Sequence, residues 1–127
     1  MDNLRTKLEK AINFHKSNEF KKAENLYEEV ILEKPDHFET YYYLGNLKIA
    51  LKDFKKAEGY FREAINYKPD FLQAYMNLGN TLKELSKFSE AEQIYKKTVE
   101  LNPNYTKAYY NLGALQQDQN RFEEAEV

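Results

Sequence analysis

A chain of 127 residues with 19 Lys and Arg against 21 Asp and Glu has room for one domain, and its net charge of −2 lacks the basic excess that a nucleic-acid or anionic-membrane partner calls for. Hydrophobic residues make up 42%, enough for a packed core, and the absence of cysteine excludes disulfides and thiolate metal sites. No apolar run approaches the roughly 18 residues that span a bilayer, and Met1–Lys7 contains no signal-peptide core, so a cytoplasmic protein is expected.

The first element in chain order is a helix over 4–17, more polar than its successors, with Lys7, Lys10 and Ala11 where later helices carry Tyr, Leu and Gly. A turn around Ser17-Asn18 leads into a second helix bearing Phe20, Ala23 and Tyr27. Pro35 stops it, because proline has no N–H and disfavours helical geometry in the residue before it. Phe38, Tyr41, Leu44, Leu47 and Leu51 then recur at three- and four-residue steps, the pattern of an amphipathic helix. A break at Lys52-Asp53 separates them from Phe54, Ala57, Tyr60, Phe61, Ala64 and Ile65, whose helix ends before Lys68-Pro69. The next pair of helices turns at Ser86-Lys87 and ends at Pro103. A last helix is expected to reach a turn at Gln119-Asn120, with its partner beginning at Phe122. Turns this short make successive helices antiparallel neighbours.

These elements keep a fixed beat. Tyr-x-x-Leu-Gly occurs at Tyr41–Gly45, Tyr75–Gly79 and Tyr109–Gly113, each copy 34 residues after the last. Phe-x-x-Ala-Glu begins at Phe20, Phe54, Phe88 and Phe122, and Pro35, Pro69 and Pro103 share the spacing. Such a period indicates stacked supersecondary units. Gly45, Gly79 and Gly113 lie inside helices, where glycine costs about 1 kcal/mol relative to alanine. They are therefore read as points of close helix approach, next to Ala57, Ala91 and Ala125. Tyr41, Tyr75 and Tyr109, with Phe61 and Tyr95, are expected to fill the space between units, since no unit buries its apolar face alone.

With an aromatic residue four places after each alanine (Tyr27, Phe61, Tyr95) and a closing proline, the pattern resembles the tetratricopeptide repeat, with tyrosine where that family often has tryptophan. The resemblance covers essentially the whole chain. It implies an all-α fold, a right-handed superhelical solenoid of helix-turn-helix repeats, forming a single array 1–127 with repeats at 4–37, 38–71, 72–105 and a partial 106–127. The polar helix 4–17 then reads as an N-terminal cap. At the other end Val127 comes five residues after Phe122, so Tyr109, Leu112 and Leu115 are expected to expose part of an apolar face. The corresponding expectation is a piece of a longer array, or an end covered by another copy.

In that family the first helix of each unit lines a concave side that binds a peptide segment of a partner. The positions that map there are Tyr42, Tyr43 and Asn46, then Met76, Asn77 and Asn80, then Lys107, Tyr110 and Asn111. Leu8, Tyr42, Met76 and Tyr110 share one register position and form an apolar, partly aromatic stripe. Asn46, Asn77, Asn80 and Asn111 run beside it. An amide offers both donor and acceptor, so such a column suits the N–H and C=O groups of an extended peptide. Tyrosine adds a flat surface with a polar tip. Solvated repeat-surface asparagines would look the same. Some members of the family grip C-terminal carboxylates with two Asn, two Lys and one Arg. Here Asn46, Asn77 and Lys107 match that pattern, while Tyr42 and Asn111 stand where a lysine and the arginine belong. Two lost cations remove most of the charge-assisted bonding that carboxylates demand.

Catalytic, metal and cofactor sites are not expected. His15 and His37 share no ligand spacing and are read as solvated. Glu28-Glu29 and Glu123-Glu124 read as i,i+4 partners of lysine. Lys21-Lys22 and Lys55-Lys56 read as a solvated outer surface rather than a nucleic-acid patch. The expected function is a non-catalytic protein-interaction scaffold for a protein or peptide partner, with no nucleic acid and no membrane. Two alternatives stand beside it: the substrate-recruiting arm of a larger enzyme, such as a protein O-glycosyltransferase, and a self-assembly module stacking through its open C-terminal edge.

Overall fold

The computed structural model describes residues 3–125, with side chains described as far as residue 120. The regular elements among them are α-helices: α1 (Leu4–Lys16), α2 (Phe20–Glu33), α3 (Phe38–Ala50), α4 (Phe54–Tyr67), α5 (Leu72–Glu84), α6 (Phe88–Leu101) and α7 (Thr106–Ala125). None of the described helices is long and apolar enough to cross a membrane. The chain divides into two units at the second inter-repeat proline, Met1–Pro69 and Asp70–Val127.

The turns inside the repeats contain no glycine, yet each places one residue in the left-handed region: Asn18 at φ 61°, Lys52 at 59° and Ser86 at 61°. That conformation costs an L-residue about 1–2 kcal/mol. It persists because the next residue closes the preceding helix. The N–H groups of Glu19, Asp53 and Lys87 each donate at 2.8 Å to the carbonyls of Phe14, Lys48 and Leu82, satisfying helix-end acceptors that otherwise lack a partner. Asp53 also caps α4 by accepting from the Lys56 N–H, and Asn3 caps α1 in the same way through the Thr6 N–H.

In the first unit α1 packs on α2, α2 on α3 and α3 on α4, with α1 also reaching α3. The fully buried Ala11, Ala23, Tyr27, Leu44 and Leu47 form its centre, flanked by Leu8, Ile12, Phe14, Phe20, Tyr43 and Tyr60. Gly45 works as the close-approach point that the sequence suggested, but its partner is different. The atoms nearest to an added Cβ there belong to the buried Phe61 ring, with Cε1 at 2.5 Å. Tyr41 stacks on Tyr67 of its own repeat, with ring centroids 5.6 Å apart, and its hydroxyl donates to the Pro35 carbonyl of the preceding repeat at 2.7 Å. A charge pair that periodicity does not announce joins α2 to α3, with Lys48 Nζ donating to Glu24 Oε2 at 2.5 Å. Lys7 pairs with Glu33 across α1 and α2.

In the second unit α5 packs on α6 and α6 on α7. Gly79 repeats the role of Gly45, with Tyr95 Cε1 2.5 Å from where a Cβ would sit. Gly113 does not: among the described residues nothing lies within 4 Å of its missing Cβ. The expected turn at Gln119-Asn120 is also absent, because α7 continues through both residues to Ala125. Neither residue takes the left-handed conformation of the earlier turns, and the helix runs on. Of the apolar face expected to be open on α7, Leu115 is fully buried, Leu112 is half-buried and Tyr109 is 48% exposed. Ala125, Glu123 and Glu124 lie outside the described side chains.

Candidate functional site

The first-unit residues sit on α3 and continue an aromatic row. Tyr43 lies parallel to the buried Tyr27 ring, with centroids 5.9 Å apart and planes 7° apart. Tyr42 meets Tyr43 edge-on at 5.8 Å and tilts against Phe61 at 6.1 Å. Both are half-buried, as is Asn46. Offset and edge-to-face contacts of this kind fix ring orientation, so each tyrosine has one side held and one side open. Burial raises the Tyr43 phenol above its ordinary pKa, assisted by the Glu39 carboxylate and by Tyr42.

The second-unit residues sit on α5 and α7. Asn80 is exposed and Asn77 and Asn111 are half-buried. Asn111 Nδ2 donates to Asn80 Oδ1 at 3.4 Å, joining the two helices. Lys107 is exposed in the first turn of α7, and Tyr110 is 76% exposed. Met76 does not belong to this surface. It is only 5% exposed, because the core-facing arc of α5 takes in Tyr75, Met76, Leu78 and Gly79 and is wider than a single helical stripe. The apolar column inferred from register is therefore broken at its third member.

One contributor escaped the register argument. Tyr95 on α6 is 1% exposed, and its hydroxyl donates to Asn80 Oδ1 at 2.5 Å. Burial pushes its phenol up to about 12, so it remains a donor at any ordinary pH. The preceding repeats break this pairing in two ways. Where the third repeat has Asn80 and Tyr95, the second has Asn46 and Phe61, which offers no hydroxyl, and the first has Ile12 and Tyr27. The Tyr27 hydroxyl is accordingly buried without a hydrogen-bond partner. The signal was present in the sequence as the Tyr/Phe/Tyr alternation at 27, 61 and 95 set against Ile/Asn/Asn at 12, 46 and 80.

Paired substitutions separate the two hydroxyls. Tyr95→Phe removes a satisfied bond and is expected to lower stability by about 1 kcal/mol. Tyr27→Phe removes an orphaned polar atom and is expected to leave stability unchanged or raise it by up to about 1 kcal/mol. Urea unfolding followed by circular dichroism checks both, and equal losses would contradict the assignment.

Neither histidine is fully solvated, whereas the paired lysines are exposed. His37, read as solvated, is half-buried and shares a 2.8 Å hydrogen bond with the buried Thr40 hydroxyl. His15 is half-buried against the edge of Phe20 at 5.7 Å, and burial lowers its pKa. Lys21, Lys22, Lys55 and Lys56 are all exposed. Lys22 lies over the Phe14 ring at 5.4 Å.

Three tetratricopeptide repeat models match the chain, over residues 14–78, 72–105 and 94–127. No curated protein matches it in sequence. Among solved structures, the first tetratricopeptide domain of Spaghetti (RPAP3), bound to the HSP90 peptide SRMEEVD, superposes with a TM-score of 0.86 at 23% identity, covering 92% of this chain and 93% of that one. MamA gives 0.87 at 21% identity, over 97% of this chain and 72% of its own. The second such domain of human RPAP3, in complex with the HSP70 peptide SGPTIEEVD, gives 0.81 at 17% identity, over 90% and 98%. At these identities the likeness is one of fold.

Proposed function

Because the chain belongs to the tetratricopeptide repeat family, we propose that it is a non-catalytic protein-interaction scaffold that holds an extended segment of a partner protein against its first helices. The observation that carries this reading is the amide pair Asn80–Asn111, bridging α5 and α7 with the open ring of Tyr110 next in sequence. Amides and phenols pair with peptide groups and stack on side chains, and are neutral near pH 7. Tyr42, Tyr43 and Asn46 supply the same chemistry on α3. The solved structures bound to the HSP90 peptide SRMEEVD and the HSP70 peptide SGPTIEEVD support a peptide-binding reading. In this chain Tyr42 and Asn111 replace two of the cations that a carboxylate grip requires, so the segment favoured is uncharged and read through its backbone.

A peptide selected on the full chain from a displayed random decapeptide library provides the ligand for a test. Asn77→Ala combined with Asn111→Ala is expected to weaken its binding at least tenfold, about 1.4 kcal/mol, with helicity and melting temperature nearly unchanged. Lys56→Ala, on the exposed surface of α4, is expected to leave affinity as it was. An equal loss from the Lys56 variant would refute the assignment. The peptide SRMEEVD and its C-terminal amide should differ in affinity by less than about threefold, since the charge-assisted bonds that would separate them are missing.

A further inference from the structure

The Asn80 amide has two ends, and its surroundings in the second unit treat them differently. Its oxygen accepts from the Tyr95 hydroxyl at 2.5 Å and from Asn111 Nδ2 at 3.4 Å, so both lone pairs are engaged from the protein side. Turning the amide over would set its NH2 against the Asn111 NH2, donor to donor. It would also strand the Tyr95 proton, because Tyr95 is 1% exposed and its hydroxyl has its hydrogen bond with Asn80. If Asn111 turned as well, the first conflict would be relieved but the second would remain. The ring itself has little freedom to seek another acceptor, since it is seated in the gap left by the missing Gly79 side chain.

We propose that Tyr95 is a positioning residue that sets the hydrogen-bond polarity of the first-helix face. By holding the Asn80 carbonyl inward it turns the Asn80 NH2 outward, so this position accepts a ligand carbonyl and rejects a ligand N–H. Asn111, whose NH2 is spent on Asn80, keeps its own carbonyl as the acceptor of the pair. The two amides then present one donor and one acceptor side by side, matching the C=O and N–H of a peptide backbone in one chain direction only. The second repeat has Phe61 in the equivalent place and the first has Ile12 opposite Tyr27, so neither sets polarity by this device. The inference rests on the peptide-binding reading above and adds direction to it.

Two measurements on the full chain test it. In the free protein, the 15N order parameter of the Asn80 side-chain NH2 is expected to be near the rigid value of about 0.85 in the wild type and in Tyr27→Phe. It should fall below about 0.6 in Tyr95→Phe. In the complex, the probe is the displayed decapeptide with its carbonyls replaced one at a time by thioamides, which accept hydrogen bonds poorly. One replacement should cost the wild type at least tenfold in affinity and cost Tyr95→Phe less than threefold, while the penalties at other positions are preserved. A loss of global stability alone lowers all affinities together and cannot produce that selective change. An Asn80 amide equally ordered in wild type and Tyr95→Phe overturns the proposal, as does a thioamide penalty unchanged by Tyr95→Phe, and both results leave the peptide-binding reading standing. If the library yields no binding peptide, both fall together.

Discussion

Gly79→Ala is expected to destabilise the protein by about 1–2 kcal/mol, although alanine is the better helix former by about 1 kcal/mol. The added Cβ would stand 2.5, 2.8 and 3.1 Å from Cε1, Cδ1 and Cζ of Tyr95. Contacts that short force movement, and overpacking a core costs about 1–3 kcal/mol. The upper part of that range applies because the neighbour is a rigid ring that is 1% exposed and tied through its hydroxyl to Asn80. Gly45→Ala meets Phe61 at 2.5, 2.7 and 2.8 Å and is expected to behave alike. Gly59 and Gly113, also helical, have nothing within 4 Å, so alanine there should stabilise by up to about 1 kcal/mol. Four substitutions of one kind thus divide by sign, read as shifts in the urea midpoint. Coupling Gly45→Ala with Phe61→Leu should recover part of the loss, since residues in contact do not act additively. Stabilisation by Gly79→Ala would show that the ring is not seated as described.

Glu24→Gln is the second large effect. Lys48 is 8% exposed in α3 and its ammonium meets Glu24 Oε2 at 2.5 Å, with Lys21 at 3.6 Å from the other oxygen. Losing the carboxylate charge leaves a largely buried ammonium without its counter-charge. Breaking a fully buried pair costs about 3–5 kcal/mol. The side chains of this pair are still 11% and 16% exposed, and solvent screening brings the expected loss at neutral pH to about 1–3 kcal/mol.

The pH dependence gives the sharper test. The hydrogen bond from Lys48 holds the Glu24 carboxyl below its ordinary 4.5, against an opposing effect of burial. The same bond raises Lys48 above 10.5. A carboxyl depressed on folding contributes stability that is complete above 4.5 and lost as pH falls through the folded value. A raised lysine contributes stability complete below 10.5 and lost as pH rises through its folded value. The pair therefore acts fully between those limits. On acidification the wild type becomes protonated at Glu24, which makes it nearly isosteric with the glutamine variant, and the gap between the two should close. A stability difference that stays constant from pH 7 to pH 3 would rule out the ion pair as its source.

Much of the helix pattern was legible because it depends on spacing. Prolines 34 residues apart and apolar steps of three and four mark the ends and inner faces of helices through local rules alone. The expected turns at Ser17-Asn18, Lys52-Asp53 and Ser86-Lys87 fall at the left-handed residues Asn18, Lys52 and Ser86. The same expectation failed at Asn120, where α7 runs on through the predicted turn. Met76 shows a related limit for the site: register places a residue on a helix face, but how wide the buried arc is depends on what covers that face.

The amino-acid sequence by itself determined the repeat, its helix pairs, its family and the first-helix positions Tyr42, Asn46, Asn77, Asn80 and Asn111, since each follows from a local period. Which glycines receive a ring, which lysine is paired inside, and which tyrosine hydroxyl finds an amide were decided only by the tertiary structure. Those outcomes turn on ångström-scale meetings between side chains on different helices. Gly79 and Gly113 occupy one register position and carry the same residue, yet among the described residues a ring meets only the first.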